Sequence, residues 1–95
     1  NPTEGAIKSN CIMTDVWISM GEKYSNKKKL FKNFTVTKDI IKVASKNSIF
    51  MHCLPAKRGQ EVTSDVLDGK NSVILQQAQN RMFIQQAILI YVLQI

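Results

Sequence analysis

The chain has 95 residues, 44% of them hydrophobic and 21% charged, with 13 basic against 7 acidic side chains and a formal net charge of +6. That length suits one small globular unit rather than an elaborate multi-domain machine. The apolar fraction excludes disordered, collagen-like and repeat compositions. Its two cysteines, Cys11 and Cys53, lie outside any C-x-x-C pair. They cannot build a disulfide-rich scaffold, argue against a structural zinc site, and point to a reducing, cytoplasmic compartment. No stretch has the basic start and apolar core of a signal peptide, and an initial Asn in place of Met hints at a processed, truncated or fragmentary chain.

In chain order, Pro2, Thr3 and Glu4 read as the first turn of a helix running to about Ser9, because Pro is tolerated where its missing N–H has no partner and Glu is favoured by the dipole. Cys11 to Val16 is a compact, largely apolar run of strand type that reaches a carboxylate at Asp15. The polar stretch from Glu22 to Lys32 reads as a surface helix, weakened by Ser25 and Asn26. Phe34 to Val36 is briefly extended. A helix from Lys38 to Ser45 follows, with Ile40, Ile41, Val43 and Ala44 on its inner face. Ser48 to Leu54 is a second strand stopped by Pro55, Glu61 to Leu67 a short helix closed by Gly69, and Ser72 to Leu75 a third strand. The last helix is expected to begin near Asn80 or Arg81.

Charge is regional. Between Glu22 and Arg58 nine Lys and one Arg face only Glu22 and Asp39, while Arg81 is the only ionised side chain from Asn71 to Ile95. The Lys27, Lys28, Lys29 cluster lacks interleaved aromatics or a reading motif, so a solvated helix face is expected rather than a nucleic-acid interface. Eleven of the fourteen residues from Met82 onward are apolar. Gln85, Gln86 and Gln94 interrupt a run already shorter than the ~20 residues of a membrane span, so no membrane partner is expected. A buried helix at a domain or subunit boundary is expected instead.

Alternating elements of this kind predict an α/β fold, a parallel sheet flanked by helices with ligands outside the carboxyl ends of its strands. Those ends carry Asp15 leading to Ser19, Met20 and Gly21, then His52 and Cys53 before Leu54 and Pro55, then Gln76 before Asn80 and Arg81. A carboxylate, a thiol at a proline turn and an arginine suit a substrate with an ammonium group and a phosphate. No phosphate-binding glycine loop supports a nucleotide. Each residue also has a plain structural role: Asp15 as a helix cap, Cys53 as an inert buried thiol, Arg81 as a cap or ion-pair partner, and Lys57 and Arg58 as surface charges. His52 and Cys53 point to opposite faces of a strand, so a protease-like dyad is not expected and His52 has a core or supporting role.

The strings TDVWISMG at 14–21, HCLPAKRG at 52–59, EVTSDVLDG at 61–69 and QNRM at 79–82 together resemble the C-terminal part of ornithine carbamoyltransferases, in order and spacing, across essentially the whole chain. Aspartate-specific relatives differ at HCLP and putrescine-specific ones at SMG. The resemblance implies a partial Rossmann-like sheet, residues 1–95 being a fragment of the family's second, ornithine-binding domain. It implies carbamoyl transfer from carbamoyl phosphate to L-ornithine, giving L-citrulline and phosphate, with no cofactor and no metal. Asp15, Ser19 and the backbone at Met20 would then hold the amino-acid end of ornithine. Cys53 would sit by the reacting groups as a polar contact, the Leu54 carbonyl would accept from the carbamoyl NH2, and Arg81 would stabilise carbamoyl phosphate. Asp15, Cys53 and Arg81 are accordingly the expected catalytic set.

The sequence departs from the family pattern at Lys57, where His is frequent, and at Gln79, where Glu is common. The family's Ser-x-Arg-Thr-Arg and His-Pro-x-Gln strings, which belong to an N-terminal carbamoyl-phosphate-binding domain, do not occur in these residues. Family sites also lie between domains and draw on a neighbouring subunit of a trimer, so these 95 residues alone are expected to be inactive. The alternatives are a non-catalytic amino-acid-binding module and an oligomerisation module derived from this family.

Overall fold

The computed structural model describes residues 1–22 and 26–95. Helix α1 (Pro2–Ala6) is capped by Asn1, whose Oδ1 accepts the Thr3 N–H at 2.9 Å, with Pro2 in the first turn. It ends earlier than the sequence suggests because Lys8 takes a left-handed conformation (φ 59°). There the Lys8 N–H donates to Val43 O, and Ser45 returns two hydrogen bonds, to Ser9 O and Lys8 O. These contacts fix the end of α1 against the end of α3 (Lys38–Val43).

Strand β1 (Cys11–Thr14) pairs in parallel with β2 (Ile49–His52), in the register Cys11↔Ile49 to Thr14↔His52. Alternation puts Ile12, Thr14, Phe50 and His52 on one face and Cys11, Met13, Ile49 and Met51 on the other. The first face meets the core of Ala6, Val36, Ile40, Phe50, Val62, Val66 and Leu67, to which α1, α3 and α4 (Ser64–Leu67) contribute. On the second face Met13 is 56% exposed and Ile49 38%.

The basic segment forms a shorter helix than expected, α2 (Lys27–Phe31), followed by one 3-10 turn at Lys32–Phe34 that includes Phe34, expected to be extended. The part of that expectation falling on residues 23–25 lies outside the described residues. Trp17, Phe31 and Phe34 pack in series beside it, the first pair tilted and the second edge to face, with centroids 6.3 and 6.2 Å apart. Glu61 to Thr63, expected to open a helix, instead run beside Val36, whose N–H donates to Glu61 O and whose carbonyl accepts the Thr63 N–H. Backbone pairing there leaves only Ser64–Leu67 for α4.

The expected third strand at Ser72 to Leu75 is reduced to one parallel bridge, Phe50↔Ser72. The Phe50 N–H donates to Asn71 O and its carbonyl accepts the Val73 N–H, after which the chain coils into α5 (Ile74–Leu93). Leu75, Gln76, Gln77 and Ala78 are good helix formers, and the Val73 carbonyl is taken by the Gln77 N–H at 2.9 Å, which ends the ladder. The last helix therefore starts at Ile74 rather than near Asn80. It is about 30 Å long, and every residue from Ala78 to Ile95 is exposed. Among the described residues no helix is long and apolar enough to cross a membrane.

Candidate active site

Asp15 and Cys53 directly follow the last register pair, Thr14↔His52, at the carboxyl end of the sheet. Both are exposed. Asp15 caps no helix: its Oδ1 accepts the Val16 N–H at 2.7 Å, turning the chain out of the strand.

Ser19 and Met20 follow in a tight turn, in which Ser19 O accepts the Glu22 N–H at 3.1 Å. Gly21 occupies its third position at φ +85°, which only glycine adopts without cost. Met20 stands at the apex, 90% exposed. The same turn holds Glu22, which pairs with Lys27 at 2.9 Å.

The other wall is the loop after β2. His52 is buried and does not face the Cys53 thiol. Its Nε2 lies 2.7 Å from Glu61 Oε1, and its Nδ1 is in close contact with the Cys53 carbonyl oxygen. Both partners are acceptors, so each contact is a hydrogen bond when the ring nitrogen carries the proton. Glu61 Oε1 also accepts the Lys57 N–H at 2.7 Å. One fully buried carboxylate thus fastens both ends of the His52–Lys57 loop, while its second oxygen, Oε2, has no partner among the described residues. The Leu54–Pro55 bond is cis.

Farther round the loop, Arg58 holds Asp68 through two bonds of 2.5 and 2.9 Å. The Asp68 hydrogen bond raises the Arg58 pKa, and the same bond lowers that of the Asp68 carboxyl. Arg58 is therefore a brace for the loop rather than a loose surface charge. The Thr63 hydroxyl likewise lowers the pKa of Asp65.

Arg81 lies two turns into α5, not at a helix start, and forms no ion pair among the described residues. It shares a helix face with Gln77, four residues earlier. Gln77 reaches the site directly: its Oε1 accepts the His52 N–H at 2.9 Å, and its Nε2 is 4.0 Å from Cys53 Sγ. The structure thus gathers Asp15, Cys53 and Leu54 at one sheet end, with the Ser19–Met20 turn following Asp15 and Arg81 one helical turn beyond Gln77. A concavity of about 740 Å3 behind the loop is lined by Leu54, Ala56, Leu67 and Ile74, but not by Asp15, Cys53 or Arg81, which stand on open surface.

Two contributors escaped the sequence reading. Glu61 reads as the start of a short helix, although a lone strand histidine among apolar neighbours calls for a buried acceptor. Gln77 falls between the expected third strand, Ser72 to Leu75, and the last helix expected near Asn80 or Arg81. Among the described residues no group of three His, Cys, Asp or Glu is placed to hold a metal ion.

The family model for the aspartate/ornithine carbamoyltransferase Asp/Orn binding domain matches residues 1–92. The chain belongs to this family.

Among its carbamoyltransferase relatives, the ornithine carbamoyltransferase of Prochlorococcus marinus is 46% identical over 91 residues, covering 94% of this chain and 29% of the relative. The anabolic enzyme of Pyrococcus furiosus is 45% identical over 95 residues, covering 98% of this chain and 30% of its own. The crystal structure of the anabolic ornithine carbamoyltransferase from Campylobacter jejuni superposes with a TM-score of 0.90 at 34% identity, covering 100% of this chain and 32% of that one. The α/β architecture is therefore that of a fragment of the carbamoyltransferase domain, and the chain spans about 30% of the length of the curated relatives it matches.

Proposed function

We propose that these residues form the ornithine-binding side of an ornithine carbamoyltransferase active site. The observation that supports this reading is the parallel register ending at Thr14↔His52, directly before Asp15 and Cys53, with the Ser19–Glu22 turn following the same strand end. In the proposed reaction the neutral side-chain amine of ornithine attacks the carbamoyl carbon of carbamoyl phosphate. A C–N bond forms, the amine loses a proton, and the C–O bond to phosphate breaks, leaving citrulline and phosphate. Asp15 accepts from the α-ammonium group of ornithine, while Ser19 and the Met20 backbone orient the same end. Cys53 borders the reacting amine as a polar contact, and the Leu54 carbonyl accepts from the carbamoyl NH2. Arg81 offers a fork of donors to the phosphate. Positioning and electrostatics carry the rate, with no covalent enzyme intermediate.

Asp15, Cys53 and Arg81 stand on open surface, which fits a site closed by further protein: a carbamoyl-phosphate-binding domain and a neighbouring subunit, in a trimer. The 95 residues alone therefore form no citrulline in a steady-state assay, yet calorimetry should show L-ornithine binding in preference to putrescine, with the preference lost in Asp15→Asn. Equal affinity for the two amines, or an unaltered preference in Asp15→Asn, refutes the assignment of Asp15.

One observation favours a second reading, a non-catalytic oligomerisation module. Helix α5 carries apolar side chains on all sides, with Ile84, Leu89, Tyr91 and Leu93 each at least 58% exposed. Such a helix is stable in water only when covered. Concentration-dependent sedimentation without ornithine binding would favour this role.

A further inference from the structure

The Val73 carbonyl is spent on the first turn of α5, so the ladder beside β2 has no backbone acceptor for the next N–H, that of His52. The Gln77 side chain supplies one, its Oε1 accepting at 2.9 Å. The other end of the same amide, Nε2, reaches Cys53 Sγ at 4.0 Å, within the range of a weak sulfur hydrogen bond. Both ends of a planar group are used at once, so its orientation is fixed from two sides. Oxygen faces the strand and nitrogen faces the thiol, and the reverse assignment would set two donors against each other.

We infer that Gln77 is a positioning residue, which replaces a missing strand at the end of β2 and uses the opposite end of its amide to orient the Cys53 thiol. This inference rests on the proposed reading, in which the Cys53 side chain borders the reacting amine. It adds that the thiol's orientation is set from α5, so the helix that carries the Arg81 guanidinium also contacts the sulfur.

Two substitutions separate the halves of this role. Gln77→Glu keeps an oxygen for the His52 N–H but places a carboxylate oxygen where the donor to sulfur stood. Gln77→Met removes both contacts. The readout is alkylation of the full chain by iodoacetamide at mildly alkaline pH, followed at Cys53 and Cys11 in the same molecules by peptide mass mapping. Cys11 is exposed on β1, away from Gln77, and serves as the internal standard.

Thiolate is the reactive form, and a like charge beside it disfavours attack. The Cys53 to Cys11 rate ratio should therefore fall at least about threefold in Gln77→Glu, while hydrogen exchange keeps the His52 amide protected. In Gln77→Met that protection should be lost as well. A Cys53 to Cys11 ratio in Gln77→Glu indistinguishable from that of the unaltered chain overturns the inference. Because alkylation needs no ornithine, absence of ornithine binding refutes the proposed function and leaves this result standing on its own.

Discussion

Glu61 offers the sharpest test of how the site is held. Replacing it by Ala removes the acceptor shared by His52 Nε2 and the Lys57 N–H, each 2.7 Å from the same oxygen, at a side chain with no exposed surface. A buried polar group left without its partner costs about 1–3 kcal/mol, so two should cost about 2–6 kcal/mol before any cavity term. For a chain of this size the urea dependence is near 1 kcal/mol per molar, so the unfolding midpoint should fall by about 2 M or more. Domains of this kind are stable by only about 5–15 kcal/mol, so Glu61→Gln serves as the partner variant that remains folded: it keeps an acceptor in place and should shift the midpoint by less than about 1 M. Circular dichroism through a urea titration measures both. A midpoint for Glu61→Ala within about 0.5 M of the unaltered chain would show that the carboxylate does not hold the loop.

Two further outcomes follow from the same geometry. In Gly69→Ala the new Cβ would stand 2.6 Å from Asp65 O and 3.3 Å from Val66 O, both backbone atoms; a loss of about 1–3 kcal/mol is expected in thermal unfolding, where Gly5→Ala, with nothing within 4 Å, serves as the control. Acid should weaken the Arg58–Asp68 pair in a defined direction: the Arg58 hydrogen bond holds the folded pKa of Asp68 below its ordinary value of 3.8, so its contribution is present above that value and is lost as pH falls through the folded pKa. Asp68→Asn should therefore flatten the decline of the unfolding midpoint below that pH, and an equally steep decline in the variant would remove Asp68 as a cause.

The parallel sheet and the helices around it were legible because each rests on a local pattern: an apolar run ending in a carboxylate, a second ending at Pro55, and a helix start marked by Pro2, Thr3 and Glu4. What was not legible depended on distant partners. Whether Ser72 to Leu75 forms a strand is decided by competition for one carbonyl, that of Val73, which the helix wins through the Gln77 N–H. The same competition moved Arg81 from a helix start to the third turn of α5. Glu61 read as a helix-opening acid because its neighbours Thr63, Ser64 and Asp65 are polar; only the pairing of Val36 with the backbone of Glu61 and Thr63 turns its side chain inward toward His52.

The register between β1 and β2 also governs when the site can exist. Its partners, Cys11 and Ile49, are far apart in the chain and are joined in parallel, through intervening helices rather than a tight turn. Long-range parallel pairing is among the slower events in folding, whereas a helix such as α5 forms from neighbouring residues alone in about a microsecond or less. During folding α5 therefore forms transiently before β1 and β2 pair, and it persists once its apolar exterior is covered. In the interval before that pairing the chain presents its apolar helix without the strand-end arrangement of Asp15 and Cys53, and a covering partner that arrives then meets the helix first.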